Sequence, residues 1–289
     1  MWAGLLKAMR PHQWVKNIFV LAPLVFARDL FEADRALPAG LALGLFCLAS
    51  STVYLLNDLT DVEADRAHPV KRNRPIASGQ LSLGAARNAA ILLAAISVGF
   101  GYWLSPQVAG AIGGDLVLNF FYSKSWKHIA YIDVLCITTG FELRVLAGAY
   151  AADVPASAYV LIATFLLASF LGFGKRMHEL MQGKGAEKQR SVLANYSERT
   201  LTFLLYGTAV AAVATYVGYT LDPSTREAFG TDFLVVTSVM PAFGVLRFLH
   251  LVRRRNTAES PTEDMLRDKL FLTNGLAYLV AVVVIIYFG

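Results

Sequence analysis

Long apolar runs separated by short polar punctuation dominate the chain. A helix that crosses a bilayer needs about 20 predominantly apolar residues. Runs of that kind fall near residues 18–33, 37–56, 85–104, 107–122, 130–152, 157–174, 201–221, 231–251 and 270–288. The pattern predicts an all-α, polytopic membrane protein with nine transmembrane helices, built as one integral-membrane domain over residues 1–289. Pro23 and Pro241 fall inside such runs, where neighbouring helices can re-satisfy the backbone. Ahead of the first run, Trp2 and Trp14 alternate with Lys7, Arg10 and Lys16. No small-residue cleavage site follows a short apolar core there, so the segment predicts an interfacial helix and not a signal peptide.

Composition agrees with lipid as the main solvent. Hydrophobic residues make up 56% of the chain and charged ones 16%, against about 45–50% and about 25% in soluble domains. The mean hydropathy is +0.50. Disordered, collagen-like and disulfide-scaffold classes are excluded on the same grounds. Cys47 and Cys136 lie in apolar runs and read as small packing residues.

Charge then orients the spans. Twenty of the 26 basic residues fall on the side of the N-terminus, whereas Arg28, Arg35 and Arg226 are assigned to the other. The positive-inside rule places the richer side in the cytoplasm and the C-terminus outside. The long polar loops 57–84, 175–200 and 252–269 share that side. Any chemistry is therefore expected on the cytoplasmic face of an inner or plasma membrane.

The first of these loops is the most informative. It reads Asn57-Asp58-Leu59-Thr60-Asp61-Val62-Glu63-Ala64-Asp65. If the preceding helix continues, Asn57, Asp61 and Asp65 are spaced i, i+4, i+8 and line one face. Stacked carboxylates repel unless a cation lies between them, and hard oxygen ligands in this number suit Mg²⁺ completed by water and substrate phosphate. Lys71, Arg72 and Arg74 follow closely. Three cations beside an acidic row make a cradle for a metal-bound pyrophosphate. Tyr54 lies one turn before Asp58 and is placed at the pocket floor. His68 and His178 read as solvated loop residues in preference to acid–base groups.

The string N-D-L-T-D-V-E-A-D followed by K-R-N-R-P-I-A-S-G resembles the first aspartate-rich motif of the UbiA-type intramembrane prenyltransferase superfamily. The resemblance implies a UbiA-like helical bundle with a polar pocket open to the cytoplasm. The usual members carry a second aspartate-rich motif later in the chain. Here the corresponding place reads Gly174-Lys175-Arg176-Met177-His178-Glu179, so a cationic pair stands where a second metal site would need acids. Arg10-Pro11-His12-Gln13-Trp14-Val15-Lys16-Asn17, Tyr122-Ser123-Lys124-Ser125-Trp126-Lys127-His128, Phe141 to Ala149 and Ser260-Pro261-Thr262-Glu263 together resemble one branch, the decaprenyl-phosphate phosphoribosyltransferases.

That branch implies a transferase that moves 5-phosphoribose from phosphoribosyl pyrophosphate to a polyprenyl phosphate, releases pyrophosphate and depends on Mg²⁺. Its product is implied to feed cell-surface polysaccharide through a lipid-linked arabinose donor. The metal and catalytic residues implied are Asn57, Asp61 and Asp65. Lys16, Tyr54, Asp58, Lys71, Arg72, Arg74 and Lys127 are assigned to phosphoribosyl pyrophosphate, and Arg144, Lys175 and Arg176 to the lipid phosphate. Arg144 lies inside the fifth span, where a charge costs about 2.5–3.5 kcal/mol on insertion scales and marks a functional site by default. Its competing role is a buried ion pair with Glu142 or another acid, and residues two apart on a helix do not face one another. The partners are the two substrates and the membrane, with no nucleic acid; a homo-oligomer is compatible with them.

Two rivals make different demands. An aromatic prenyltransferase of the same superfamily requires carboxylates where Lys175 and Arg176 stand. A transporter requires inverted repeats with matched broken helices, and the two halves share only a span running into a charged loop. The run Gly183-Lys184-Gly185, with Lys188 and Arg190, lacks the spacing and strand of a P-loop and reads as a solvated cap that can close as a lid. Arg253, Arg254 and Arg255 read as a helix-end anchor against anionic lipid.

Overall fold

The computed structural model describes residues 2–181, 191–253 and 261–289. The expected lid at 183–190, Arg254, Arg255 and Ser260 lie outside the described residues. Every regular element among the described residues is helical. Six stretches are long and apolar enough to cross a membrane: Ala33–Thr60, Leu83–Leu104, Ala158–Met181, Glu198–Leu221, Phe233–Arg253 and Lys269–Phe288. The protein is an integral-membrane, all-α molecule. Lipid-facing side chains account for its exposed apolar surface, with Trp103 and Phe203 each 75% exposed. In lipid every backbone group must be satisfied within its own segment, which is why these runs are helical.

The chain divides into two compact units, residues 1–124 with 143–156, and residues 125–142 with 157–289. The first holds α1 (Trp2–Met9), a 3₁₀ segment (Pro11–Leu21), α2 (Ala22–Phe26), α3 (Ala33–Thr60), α4 (Val62–Ala67), α5 (Leu83–Leu104) and α6 (Pro106–Lys124). Helix α7 (Ile132–Ala152) contributes its C-terminal half to this unit. The second unit holds the N-terminal half of α7, then α8 (Ala158–Met181), α9 (Glu198–Leu221), α10 (Pro223–Phe229), α11 (Val239–Arg253), α12 (Pro261–Arg267) and α13 (Lys269–Phe288).

In the first unit α3 is central. It packs against the 3₁₀ segment, α1, α5 and α6. Its buried face is Ala39, Ala42, Leu45, Phe46 and Ala49, and Val20, Val108, Ile112 and Ala147 close against it. Small residues let backbones approach where hydrophobic burial no longer drives helix association. The first expected span takes a different form. Residues 18–33 are the end of the 3₁₀ segment, the short α2 and a turn in which Arg28 adopts φ 66°. Pro11 and Pro23 each remove a backbone donor, and side-chain contacts described below hold the segment instead.

Its closest approach is to α7. A Cβ added at Gly148 would lie 1.7 Å from the carbonyl oxygen of Val20. Gly148→Ala is therefore expected to force the 3₁₀ segment off α7, at a cost of at least about 1–3 kcal/mol. Each kcal/mol lowers the midpoint by about 2–4 °C in chains of 150–250 residues, so thermal unfolding in detergent should fall by several degrees. Gly44→Ala, with nothing within 4 Å, is the control and should leave the midpoint in place or raise it. An unshifted Gly148→Ala would overturn the close approach.

The second unit packs α8 against α9 and α11. Its core is Val134, Phe170, Phe173, Met177, Leu201, Leu205 and Phe248. Gly174 presents bare backbone to Phe248, whose ring an added Cβ would meet at 2.4 Å.

Candidate functional site

Helix α3 stops at Thr60, Asp61 takes φ −94° and ψ 10°, and α4 begins at Val62. The acidic row thus follows a helical path with a break at its middle residue, where a continuous helix was expected. The backbone bridges the break: the Asp61 amide donates to Asn57 at 2.9 Å and the Asp65 amide to Asp61 at 2.8 Å. The break separates the environments of the three side chains. Asp65 is turned inward and buried, while Asn57 and Asp61 stay half-exposed.

Two buried acids meet two arginines here. Asp58 Oδ1 accepts from Arg10 Nη2 at 2.6 Å and from Arg74 Nη1 at 3.2 Å, and Arg74 Nη1 also donates to Asp65 Oδ2 at 2.7 Å. The result is an alternating chain, Arg10–Asp58–Arg74–Asp65. Isolated carboxylates are too costly to bury, and each acid here has a cation on it. Arg10 adopts φ 53°, a left-handed conformation that costs about 1–3 kcal/mol, and its guanidinium lies 5.0 Å from the centre of the Tyr54 ring. Asp58, expected to contact substrate, is 2% exposed and serves Arg10 and Arg74 as their counter-ion. Arg74 is tied to both acids and keeps an exposed edge.

The rest of the loop is more open. Lys71 and Lys16 are half-buried and Arg72 is exposed. His68 Nδ1 accepts from the backbone amides of Val70 and Lys71 at 3.1 and 3.2 Å, so it caps the turn that presents the basic run. At the end of α6, Ser123 Oγ donates to Asn57 Oδ1 at 2.5 Å. Asn57 and the half-exposed Asp61 carboxylate are hard oxygen donors one turn apart, and Asp65 has one oxygen outside its Arg74 bond. This donor chemistry fits a Mg²⁺-type cation that completes its shell with substrate oxygens and water. Among the described residues no three His, Cys, Asp or Glu side chains gather into a cluster that could hold a metal alone.

Deeper in the same unit, Arg144 is half-buried. Its Nε donates to Asn17 at 2.8 Å, Nη1 to Asp115 at 3.0 Å and Nη2 to Ser50 at 3.3 Å, and it packs 5.2 Å from the centre of the Phe46 ring. Asp115 and Asn17 are buried. One guanidinium thus joins α7, the 3₁₀ segment, α6 and α3. The acid that neutralises Arg144 is Asp115, so this guanidinium, expected at a lipid phosphate, also acts as an internal hub.

The second unit contains the cationic pair of α8. Arg176 is wholly buried and paired with Glu179 at 2.5 Å and with Asp133 at 3.4 Å. Asp133 also accepts from the Tyr196 hydroxyl, which in turn accepts from the Tyr131 amide at 2.9 Å. Burial pushes the Tyr196 phenol above its ordinary range, and the bond to Asp133 pushes the same way, so it remains a donor. Arg176 was expected at the lipid phosphate. An arginine without surface needs acids around it, and the structure supplies two. Lys175 is half-buried, as is Lys127 in the short 3₁₀ turn Trp126–His128. His178 Nδ1 pairs with the Val252 carbonyl at 3.1 Å in the core.

Sequence reasoning missed Arg10, Asn17, Asp115, Ser123 and Asp133 as members of these networks. Asp115 and Asp133 carried a signal: each is an acid inside a long apolar run, where charge is expensive.

Comparison with known proteins agrees with this architecture. The UbiA prenyltransferase family model matches residues 18–275. A decaprenyl-phosphate phosphoribosyltransferase of Corynebacterium glutamicum is 35% identical over 289 residues, covering 98% of this chain and 87% of its own. One of Mycolicibacterium smegmatis is 35% identical over 298 residues, covering 99% and 93%. Among solved structures, a UbiA homolog from Archaeoglobus fulgidus bound to GPP and Mg²⁺ superposes with a TM-score of 0.70 at 17% identity, covering 96% of this chain and 99% of its own.

Proposed function

The chain belongs to the UbiA prenyltransferase family, and on that premise we propose that it transfers 5-phosphoribose from phosphoribosyl pyrophosphate to a polyprenyl phosphate of the decaprenyl type, releasing pyrophosphate. The observation that carries this reading is the match, over nearly the whole chain, to relatives named for that activity. The basic Lys175 on α8, standing where a second metal site would need an acid, supports it against prenyl-diphosphate chemistry.

The charge asymmetry supports nine spans with the N-terminus and a polar pocket on the cytoplasmic side. Asn57, Asp61 and Asp65 would hold a divalent cation, Mg²⁺ by the hardness of the donors. When bound, that ion supplies neutralisation of charge on the departing pyrophosphate.

The side chains do the positioning. Lys71, Arg72 and Lys16 supply cations to the phosphates of the donor, and Arg74 offers its exposed edge to the same group. Tyr54 keeps Arg10 in place through its ring. Asp58 holds Arg10 and Arg74 against mutual repulsion. Lys175 takes the lipid phosphate. The C1–O bond to pyrophosphate breaks with oxocarbenium-like character at ribose C1, and an oxygen of the polyprenyl phosphate forms the new bond from the opposite face. That oxygen is already anionic near neutral pH, so no general base is required. Catalysis is orientation plus preorganised charge.

Purified protein incubated with either labelled phosphoribosyl pyrophosphate or labelled prenyl diphosphate tests the reading, with polyprenyl phosphate and an aromatic acceptor both present. Lipid-soluble label from the first donor alone is expected. Label entering the aromatic acceptor from the second donor would make the protein a prenyltransferase, and conversion of neither would favour transport.

A further inference from the structure

We infer that Ser123 is a positioning residue for the metal site: its hydroxyl fixes the amide of Asn57 so that the carbonyl oxygen, and not the NH₂ group, is presented to the cation. The inference rests on the reading of Asn57 as a metal ligand and adds to it the group that orients that ligand.

Asn57 lies in the last turn of α3 and Ser123 in the last turn of α6, helices that pack together in the first unit. The contact spans 66 residues of sequence and measures 2.5 Å from Ser123 Oγ to Asn57 Oδ1. The contact is with the amide oxygen, which can only accept, so the hydroxyl is the donor. Both side chains are half-buried.

The consequence follows from the amide group. An asparagine side chain turns about a broad, roughly two-fold terminal torsion, and its two ends are opposite in character: the oxygen accepts with two lone pairs, while the NH₂ carries two donors. An unrestrained Asn57 would spend part of its time with the NH₂ turned toward the cation, where it repels. The Ser123 hydroxyl occupies one lone pair of the oxygen and leaves the second for the metal. No other member of the acidic row has this problem, because a carboxylate presents oxygen either way round. Asp65 is oriented by Arg74 in any case. The one neutral ligand is thus the one that needs a hydroxyl beside it, and the Tyr122-Ser123-Lys124 segment supplies it.

Outer-shell partners of this kind are worth about 10–100-fold in metal affinity. The test uses the full chain in detergent, with Mn²⁺ titrated in the presence of inorganic pyrophosphate and free Mn²⁺ read by electron paramagnetic resonance. Ser123→Ala is expected to weaken Mn²⁺ binding by about 10–100-fold. Ser123→Thr, which keeps the hydroxyl, should stay within a few-fold of the parent. Asn57→Ala should weaken binding at least as much as Ser123→Ala. Should Ser123→Ala fail to fold, Ser123→Cys carries the same expectation, since a thiol is only a weak donor. If Asn57→Ala loses affinity and Ser123→Ala does not, the clamp is overturned and the metal reading stands. If Asn57→Ala binds as the parent does, or the parent shows no saturable binding, the metal reading falls and takes the clamp with it. A larger loss in Ser123→Ala than in Asn57→Ala would make Ser123 a ligand itself and overturn the positioning role.

Discussion

Asp61→Ala is expected to abolish the formation of lipid-linked phosphoribose, by at least about a thousandfold at saturating substrate. Asp61 is the half-exposed carboxylate of the row, set at the break between α3 and α4, and it has no ion-pair partner among the described residues. Asp58 and Asp65 are buried against arginines and are partly neutralised before any substrate arrives. Removing Asp61 therefore removes most of the negative charge available to a divalent cation. Charge stabilisation of this kind is worth several kcal/mol, and about 1.4 kcal/mol is a factor of ten in rate. Asp61→Asn keeps the volume and one oxygen and should recover little, because the charge is gone. The measurement is transfer of label from phosphoribosyl pyrophosphate into polyprenyl phosphate by purified protein, with the thermal midpoint recorded beside it. Near-normal product from Asp61→Ala, at an unchanged midpoint, would sink the assignment.

Arg144→Met is expected to be the most destabilising single change in the first unit, and Asp115→Leu added to it should restore most of the loss. Breaking a buried pair leaves an unmatched charge and costs about 3–5 kcal/mol, whereas replacing both partners with apolar groups of similar volume is often neutral or stabilising. Asp115 has no exposed surface, and its Oδ2 already lacks a hydrogen-bond partner among the described residues, so the carboxylate cannot turn to water when Arg144 is lost. Asn17 remains satisfied in the double variant because Ser50 Oγ also donates to its Oδ1 at 3.2 Å. The same pair of variants separates two roles. A hub predicts that the double variant regains both its thermal midpoint and its KM for polyprenyl phosphate. If Arg144 instead holds the lipid phosphate, the midpoint returns while the KM for the acceptor stays many-fold high, and the hub is refuted.

Much of the fold was legible along the chain. The apolar runs that became α3, α5, α8, α9 and α13 could be seen because lipid leaves a spanning segment no alternative to satisfying its own backbone. The first run was harder. Residues 18–33 are apolar enough to suggest a span, yet Pro11 and Pro23 and the close approach of Gly148 to Val20 divide it into a 3₁₀ segment and the short α2. Hydropathy counts side chains and does not register a backbone carbonyl lodged against a glycine 128 residues away.

The candidate site divides along a similar boundary. Asn57, Asp61 and Asp65 stood out because helical spacing is a local property, written within nine residues. The basic run from Lys71 to Arg74 stood out for the same reason. Residue type and spacing therefore announced both a membrane bundle and a loop dense in acids and bases. The partner of each charge was another matter. Arg10 meets Asp58 across 48 residues, Arg144 meets Asp115 across 29, and Ser123 meets Asn57 across 66. Arg176, written as one of two adjacent cations on α8, turned out to be buried on Asp133, whereas its neighbour Lys175 kept some surface.

An ion pair needs its atoms within about 4 Å, and only the packing of helices against one another sets such distances between remote positions. Chain order dictated which segments enter the lipid and where acids and bases are concentrated, since both follow from local composition. The packed bundle chose which of those charges are spent on each other, as at Asp58, Arg144 and Arg176, and which are left without an ion pair among the described residues, as at Asp61, Lys71 and Arg72.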